Sequence, residues 1–338
     1  MHPPLHFTTR HLLLSLGSVG ALIVIASSPQ LLGDRVGAAL AGVLAVSPVW
    51  LWAAALAFVT SLAASGCAWR SALARCGGEL SRTDAAARYG VGSLLNALAP
   101  AKLGSAVRFA LFSRTLDAEG RLWTTGGVAA SVGAARSIWL ALLLVFAAAS
   151  GVLPLWPLAV LAGVLALTVA VALVARDTRP NARAAHALDA FRALRRSPRA
   201  AAELVGWVGL AAAARVGAAT AIAAAFGVDQ PLLAALLVVP ALDLAGLLQL
   251  TPGNIGVASA AIAFALHAHG VGSGTALSAG IAFSAVETAT SLAFGTGSAL
   301  FLFAGARTAP RWSLAAVGAT ACLGLAAAFG ATVVLPLV

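Results

Sequence analysis

Apolar runs of about twenty residues, long enough to cross a ~30 Å hydrocarbon core as a helix, recur at 12–32, 48–69, 124–150, 152–175, 201–226, 274–304 and 313–337. They predict seven full spans. Two further apolar regions, 84–114 and 231–270, are interrupted by proline and glycine. Each predicts two short helices joined at a break. The longest polar stretch, 176–200, separates a first membrane half, 1–175, from a second, 201–338. Each half then holds one broken region. The opening "TTRHLLLSLGSVGALIVIASSPQ" has the order of a signal peptide: an arginine, an apolar run, then small residues. The many spans that follow favour a first transmembrane helix.

Charge orients these segments. Arg10, Arg70, Arg75, Arg82, Arg88, Arg114, Arg121, the arginines of 176–200, Arg307 and Arg311 all fall on one side if each broken region enters and leaves by the same face. Only Arg35 falls on the other, while Lys102, Arg108, Arg136 and Arg215 lie inside membrane segments. The positive-inside rule then places the N-terminus in the cytoplasm and the C-terminus outside, in the plasma (inner) membrane. Region 84–114 dips in from the cytoplasm and 231–270 from outside. Two short crossings per broken region would leave the same distribution of charge. The expected fold is all-α: a polytopic membrane protein with about seven full spans plus two opposed re-entrant helical hairpins in an inverted repeat.

Composition agrees with this. The chain is 61% hydrophobic and 9% charged, with a mean hydropathy of +0.96, whereas soluble domains are about half apolar and a quarter charged. No stretch of soluble composition is long enough for a catalytic domain. The net charge of +10 fits cytoplasmic loops facing an anionic leaflet, not a nucleic-acid partner. Cys67, Cys76 and Cys322 form no disulfide framework or metal motif. His267 and His269 have no carboxylate or cysteine at ligand spacing, and residues two apart face different ways on a helix. No metal or cofactor is expected. Within the linker, "AHALDAFRALRR" suits either an amphipathic helix on the inner leaflet or, preferably, a solvated basic connector.

The two breaks share a pattern. The first centres on Pro100-Ala-Lys-Leu-Gly104 and the second on Pro252-Gly-Asn-Ile-Gly256. Proline cannot continue helix hydrogen bonding, and freed backbone groups survive in a membrane only when buried in protein or lining a wet cavity. Interrupted segments at matching places in two halves point to a transporter's binding site. A helix starting after the break aims its N–H groups at the cavity. Lys102, the chain's only lysine, and Arg108 add full charges there. A cation at mid-membrane costs about 2.5–3.5 kcal/mol on the insertion scale and needs a partner, such as the phosphate of a lipid head group. The alternative is a pair of helix kinks whose cations snorkel to the surface.

Other polar residues lie within the spans. Ser284, Glu287, Thr288, Ser291 and Gly295 form a stripe at helical spacing in 274–304. Arg136 and Glu287 sit at nearly equal distances from Pro100 and Pro252, so an Arg136–Glu287 ion pair is expected. Asp243 is a candidate partner for Lys102, Arg108 or Arg215. Together Arg136, Arg215, Asp243 and Glu287 are the expected internal polar network.

"LLNALAPAKLGSAVRFALFSR" resembles the N-x-x-x-P-x-x-x-G-x-x-x-R signature of the membrane region of lysylphosphatidylglycerol synthases and their stand-alone flippase-like relatives. "TPGNIGV" followed by "HGVGSGTAL" resembles that family's later PGGxG segment, and "CAWRSAL" its Trp-Arg ending to the second span. The resemblance covers roughly residues 12–304. It implies two opposed re-entrant hairpins and the movement of a lipid head group between leaflets. Asn96, Pro100, Gly104, Arg108, Pro252, Gly253 and Gly256 match motif positions. With Lys102 and Asn254 they make the expected substrate-binding set, and Arg136 resembles a common basic position. The chain departs from the pattern at Ser105 and Ser259, where carboxylates are usual, at Asn254, the second glycine of PGG, and near Ser284, where a basic residue is usual.

The expected function is that of a lipid flippase or translocase, not an enzyme. Its substrate would be an anionic or aminoacylated phospholipid, or a polyprenyl-phosphate-linked lipid. No P-loop occurs, so transport would run downhill or on proton or membrane potential. The partners expected are membrane lipids and a separate lipid-modifying enzyme or glycosyltransferase. The alternative is a non-transporting scaffold for such an enzyme.

Overall fold

A computed structural model describes residues 42, 46–99, 103–116, 120–151, 163, 182–246 and 255–303. The expected spans 12–32, 152–175 and 313–337 lie outside the described residues. So do Pro100, Lys102, Pro252, Gly253 and Asn254.

The described residues are helical throughout, with short connections. Helix α1 is Pro48–Leu73, followed by a 3-10 turn at Ala74–Cys76. Helices α2 (Arg82–Leu98) and α3 (Leu103–Ser113) come next, then α4 (Arg121–Ala149) and α5 (Ala182–Arg195). Helices α6 (Pro198–Ala225), α7 (Pro231–Ala245), α8 (Ile255–Ala268) and α9 (Ser273–Phe303) complete the chain as described.

Local chemistry sets the helix ends. Pro48 and Pro198 stand in first turns, where no N–H partner is lost. Ser81 caps α2: its hydroxyl accepts from the Asp84 N–H and donates to the Asp84 carboxylate at 2.6 Å. Gly77 and Gly227 take positive φ just past helix ends.

Helices α1, α4, α6 and α9 are long and apolar enough to cross a membrane. At 26 to 31 residues and ~1.5 Å per residue they exceed a ~30 Å core. Large apolar side chains stay exposed along them, among them Trp52, Leu56, Ile138, Leu142 and Phe146, as a lipid-facing surface requires. Helices α3, α7 and α8 are apolar but shorter. The chain is thus an all-helical, multi-pass membrane protein. Regions 84–114 and 231–270 are each two helices, α2 with α3 and α7 with α8, and the members of each pair pack on one another.

Packing follows a repeated scheme. Setting α1, α2, α3 and α4 against α6, α7, α8 and α9, every major contact has its counterpart. Helix α1 lies on α6; α2 lies on α9 as α7 lies on α4; α9 touches α1 as α4 touches α6. Small residues allow close approach. A Cβ on Gly66 would meet the Ala86 backbone of α2, and one on Gly280 would meet the Ser259 carbonyl of α8. The Ser61 hydroxyl donates to the Ala211 carbonyl at 3.0 Å, and the Trp139 indole N–H to the Val205 carbonyl at 2.8 Å.

Two apolar clusters form the core. One joins Phe58, Val216, Ile222, Leu242, Ile262 and Phe283. The other joins Trp69, Leu73, Phe112, Val128, Leu204 and Val208. The linker is not a bare connector: α5 buries Ala190 and Leu194 in the second cluster, leaving Leu188, Phe191, Arg192 and Arg195 exposed.

Candidate functional site

Between the two clusters lies a cavity of about 120 Å³. Six helices contribute: Ser61 and Ser65 from α1, Tyr89 from α2, Arg136 and Trp139 from α4, Arg215 from α6, Asp243 from α7, and Glu287 and Ser291 from α9. Arg136 and Glu287 stand close to the mid-lengths of their spans. In a helix that crosses a bilayer, mid-length is about the depth where water is scarcest and a charge is costliest. Most of the cavity's wall is apolar, Phe58, Leu62, Leu140 and Val239 included, but the polar groups that converge on it make it a place where water or a polar group can reside.

Two ion pairs cross it. Arg136 Nη2 donates to Asp243 Oδ1, joining α4 to α7. Arg215 Nη2 donates to Glu287 Oε1 at 3.3 Å, joining α6 to α9. The four expected network residues thus share one cavity, but the pairing corrects the expected Arg136–Glu287 bridge. Equal spacing along the chain put those two residues at equivalent places on α4 and α9. Contact depends instead on which helices pack, and α4 lies against α7 while α9 lies against α2 and α8. The Arg215 Nε atom is buried without a hydrogen-bond partner among the described residues, so within them this guanidinium has donor capacity left over.

The first motif lies beside the cavity. The Arg108 guanidinium stacks over the Tyr89 ring, 3.8 Å from its centroid, and Tyr89 in turn lines the cavity. Arg108 itself is not in the lining. Its Nε and the Asn96 Oδ1 are buried with no hydrogen-bond partner among the described residues. Gly104 has a packing role: a Cβ there would overlap the Gly92 carbonyl and crowd Asn96. The Arg88 guanidinium ties the same helix pair together, donating to the Leu111 carbonyl at 2.7 Å. Ser105 is exposed, and so is Gly256, around which a Cβ meets nothing among the described residues.

The stripe on α9 divides among three tasks. Glu287 and Ser291 face the cavity. Gly295 lets α2 approach at Leu94. The Ser284 hydroxyl lies 2.8 Å from that of Ser259 on α8. Two departures from the family pattern therefore meet: where a carboxylate and a basic residue are usual, this chain has a neutral hydroxyl pair. Tyr89 escaped the sequence reading. Its signal was available: it is the chain's only tyrosine and stands two helical turns before Asn96.

No curated protein matches the chain. A family model described as Lysylphosphatidylglycerol synthase TM region matches residues 12–295. The helix–break–helix regions and the charged cavity both fall within that match, and the chain belongs to this membrane-domain family.

Proposed function

We propose that the protein is a lipid translocase that moves an anionic or aminoacylated phospholipid, or a polyprenyl-phosphate-linked lipid, between leaflets of the plasma membrane. The observation that carries this is the charged cavity at mid-span: two arginines and two carboxylates between six helices of a membrane protein. Ionisable groups at such depth are expensive and mark substrate or ion pathways. The matched helix contacts support an inverted repeat, with α2–α3 and α7–α8 as opposed re-entrant hairpins. Rocking of one helix set against the other would expose the cavity to each leaflet in turn. Lys102 and Arg108, with Asn96, Gly104 and the second break at Pro252–Gly256, would receive the head group as it enters. Arg108 would act through the Tyr89 ring it covers.

The protein is proposed to be a transporter and not an enzyme. Phosphoryl chemistry uses carboxylates gathered to hold Mg²⁺, whereas Asp243 and Glu287 sit on separate helices and each faces an arginine. The test is reconstitution in liposomes with labelled lipids. Native protein should scramble anionic lipids faster than zwitterionic ones, and Lys102→Ala with Arg108→Ala should slow this about tenfold or more. Equal rates for native and variant protein reject the entrance assignment. No scrambling by folded native protein rejects transport and leaves the scaffold role.

A further inference from the structure

We propose that Arg136 and Arg215 form one anion-binding site, and that Asp243 and Glu287 occupy it as built-in stand-ins for the ligand's acidic group. The ligand's class, a phosphate-bearing lipid head group, rests on the transport proposal; the exchange of partners rests on geometry alone.

With its four charges paired, the cavity is electrically neutral and offers an anion little attraction. The pairs are unequal in cover. The Arg136 side chain is 54% exposed whereas Asp243 is 14% exposed, so an approaching anion reaches the arginine before its carboxylate. Among the described residues, Arg215 has its Nε donor unused and meets Glu287 through a long contact of 3.3 Å. It can therefore accept a second acidic partner without first losing its own. A phosphate oxygen reproduces the geometry of a carboxylate against a guanidinium. Entry of a head group would move each arginine from an internal to an external partner, and the freed carboxylates would turn toward the other polar groups of the lining, Ser61, Ser65 and Ser291. Because Arg136–Asp243 ties α4 of the first helix set to α7 of the second, while Arg215–Glu287 braces α6 to α9 within the second, the exchange at Arg136 would loosen the sets that must rock. Binding is thereby coupled to movement by one change of partners.

The probe is short-chain phosphatidylglycerol, whose phosphate keeps one charge across the useful pH range, titrated into purified protein in a zwitterionic detergent. Asp243→Asn removes the stand-in but keeps its shape, leaving Arg136 with an unmet charge. The expected result is affinity raised about tenfold, with a similar gain for Glu287→Gln. Arg136→Gln added to Asp243→Asn should cancel the gain. Unchanged or weaker affinity in folded Asp243→Asn and Glu287→Gln protein overturns the proposal and leaves the pairs as structural braces. If either variant fails to fold, the arginine side decides: folded Arg136→Gln and Arg215→Gln proteins should each bind the lipid about tenfold more weakly than native protein, and unchanged affinity overturns the proposal. These titrations need no translocation. Tighter binding without scrambling would sink the transport function alone, and scrambling without tighter binding would sink the exchange alone.

Discussion

At the residue scale, motif positions that look alike in sequence do different work. Gly104 and Gly256 both close a P-x-x-x-G pattern, yet only Gly104 is pressed against backbone. Gly104→Ala should destabilise the protein by about 1–3 kcal/mol, as overpacking does. Gly256→Ala should fall within about 0.5 kcal/mol of native, as exposed substitutions do; thermal unfolding in detergent measures both. The ion pairs make a second test. Arg136→Asp and Asp243→Arg should each lower the melting temperature by placing like charges together. The doubly swapped protein should recover most of the loss, with a coupling of about 1 kcal/mol or more. Additive losses would show that the two side chains do not meet. The participants in this network were legible from sequence, because a charge within an apolar run stands out. Their partners were not, because chain distance says nothing about which helices touch.

At the element scale, the spans at 48–69, 124–150, 201–226 and 274–304 reappear as α1, α4, α6 and α9 with ends shifted by a few residues. Hydropathy reads such helices well, since lipid leaves the backbone no alternative to internal hydrogen bonds. The broken regions also read correctly as helix pairs, because Pro and Gly interrupt them. Helix α5 read less well. Its exposed face is mixed, with Arg192 and Arg195 beside Leu188 and Phe191, while Ala190 and Leu194 pack inward, so neither composition nor charge announced a docked helix. Whether each pair dips or crosses is a matter of which face its tip reaches. After replacement of the native cysteines, Ala101→Cys and Asn254→Cys can be probed with a membrane-impermeant thiol reagent. Re-entrant hairpins place both tips inside, so Ala101→Cys should resist reagent applied outside and Asn254→Cys should resist it from the cytoplasm. Rapid labelling from those sides would mean that each pair crosses.

At the scale of the whole molecule, the repeated contact scheme and the charge asymmetry bear on the proposed opposition of two helix sets across the membrane. Helix α1 against α6 forms the largest internal seam, and the cavity lies along it. The positive-inside rule predicts a cytoplasmic 176–200 linker, and α5, with Arg192, Arg195, Arg196 and Arg199, would then face the anionic inner leaflet. Protease added to right-side-out vesicles should therefore leave the linker intact, and should cut it only after the membrane is opened. The lipid itself was not legible in the sequence, because an arginine–carboxylate cavity recognises an acidic group and not the molecule that bears it.

The central claim is that the mid-span arginines carry the head group across. The most direct measurement is the rate at which labelled phosphatidylglycerol changes leaflet in liposomes holding equal amounts of folded native protein or the Arg136→Gln, Arg215→Gln double variant. The account predicts rapid exchange with native protein and a rate near that of protein-free liposomes with the variant. Equal rates for the two proteins would contradict it.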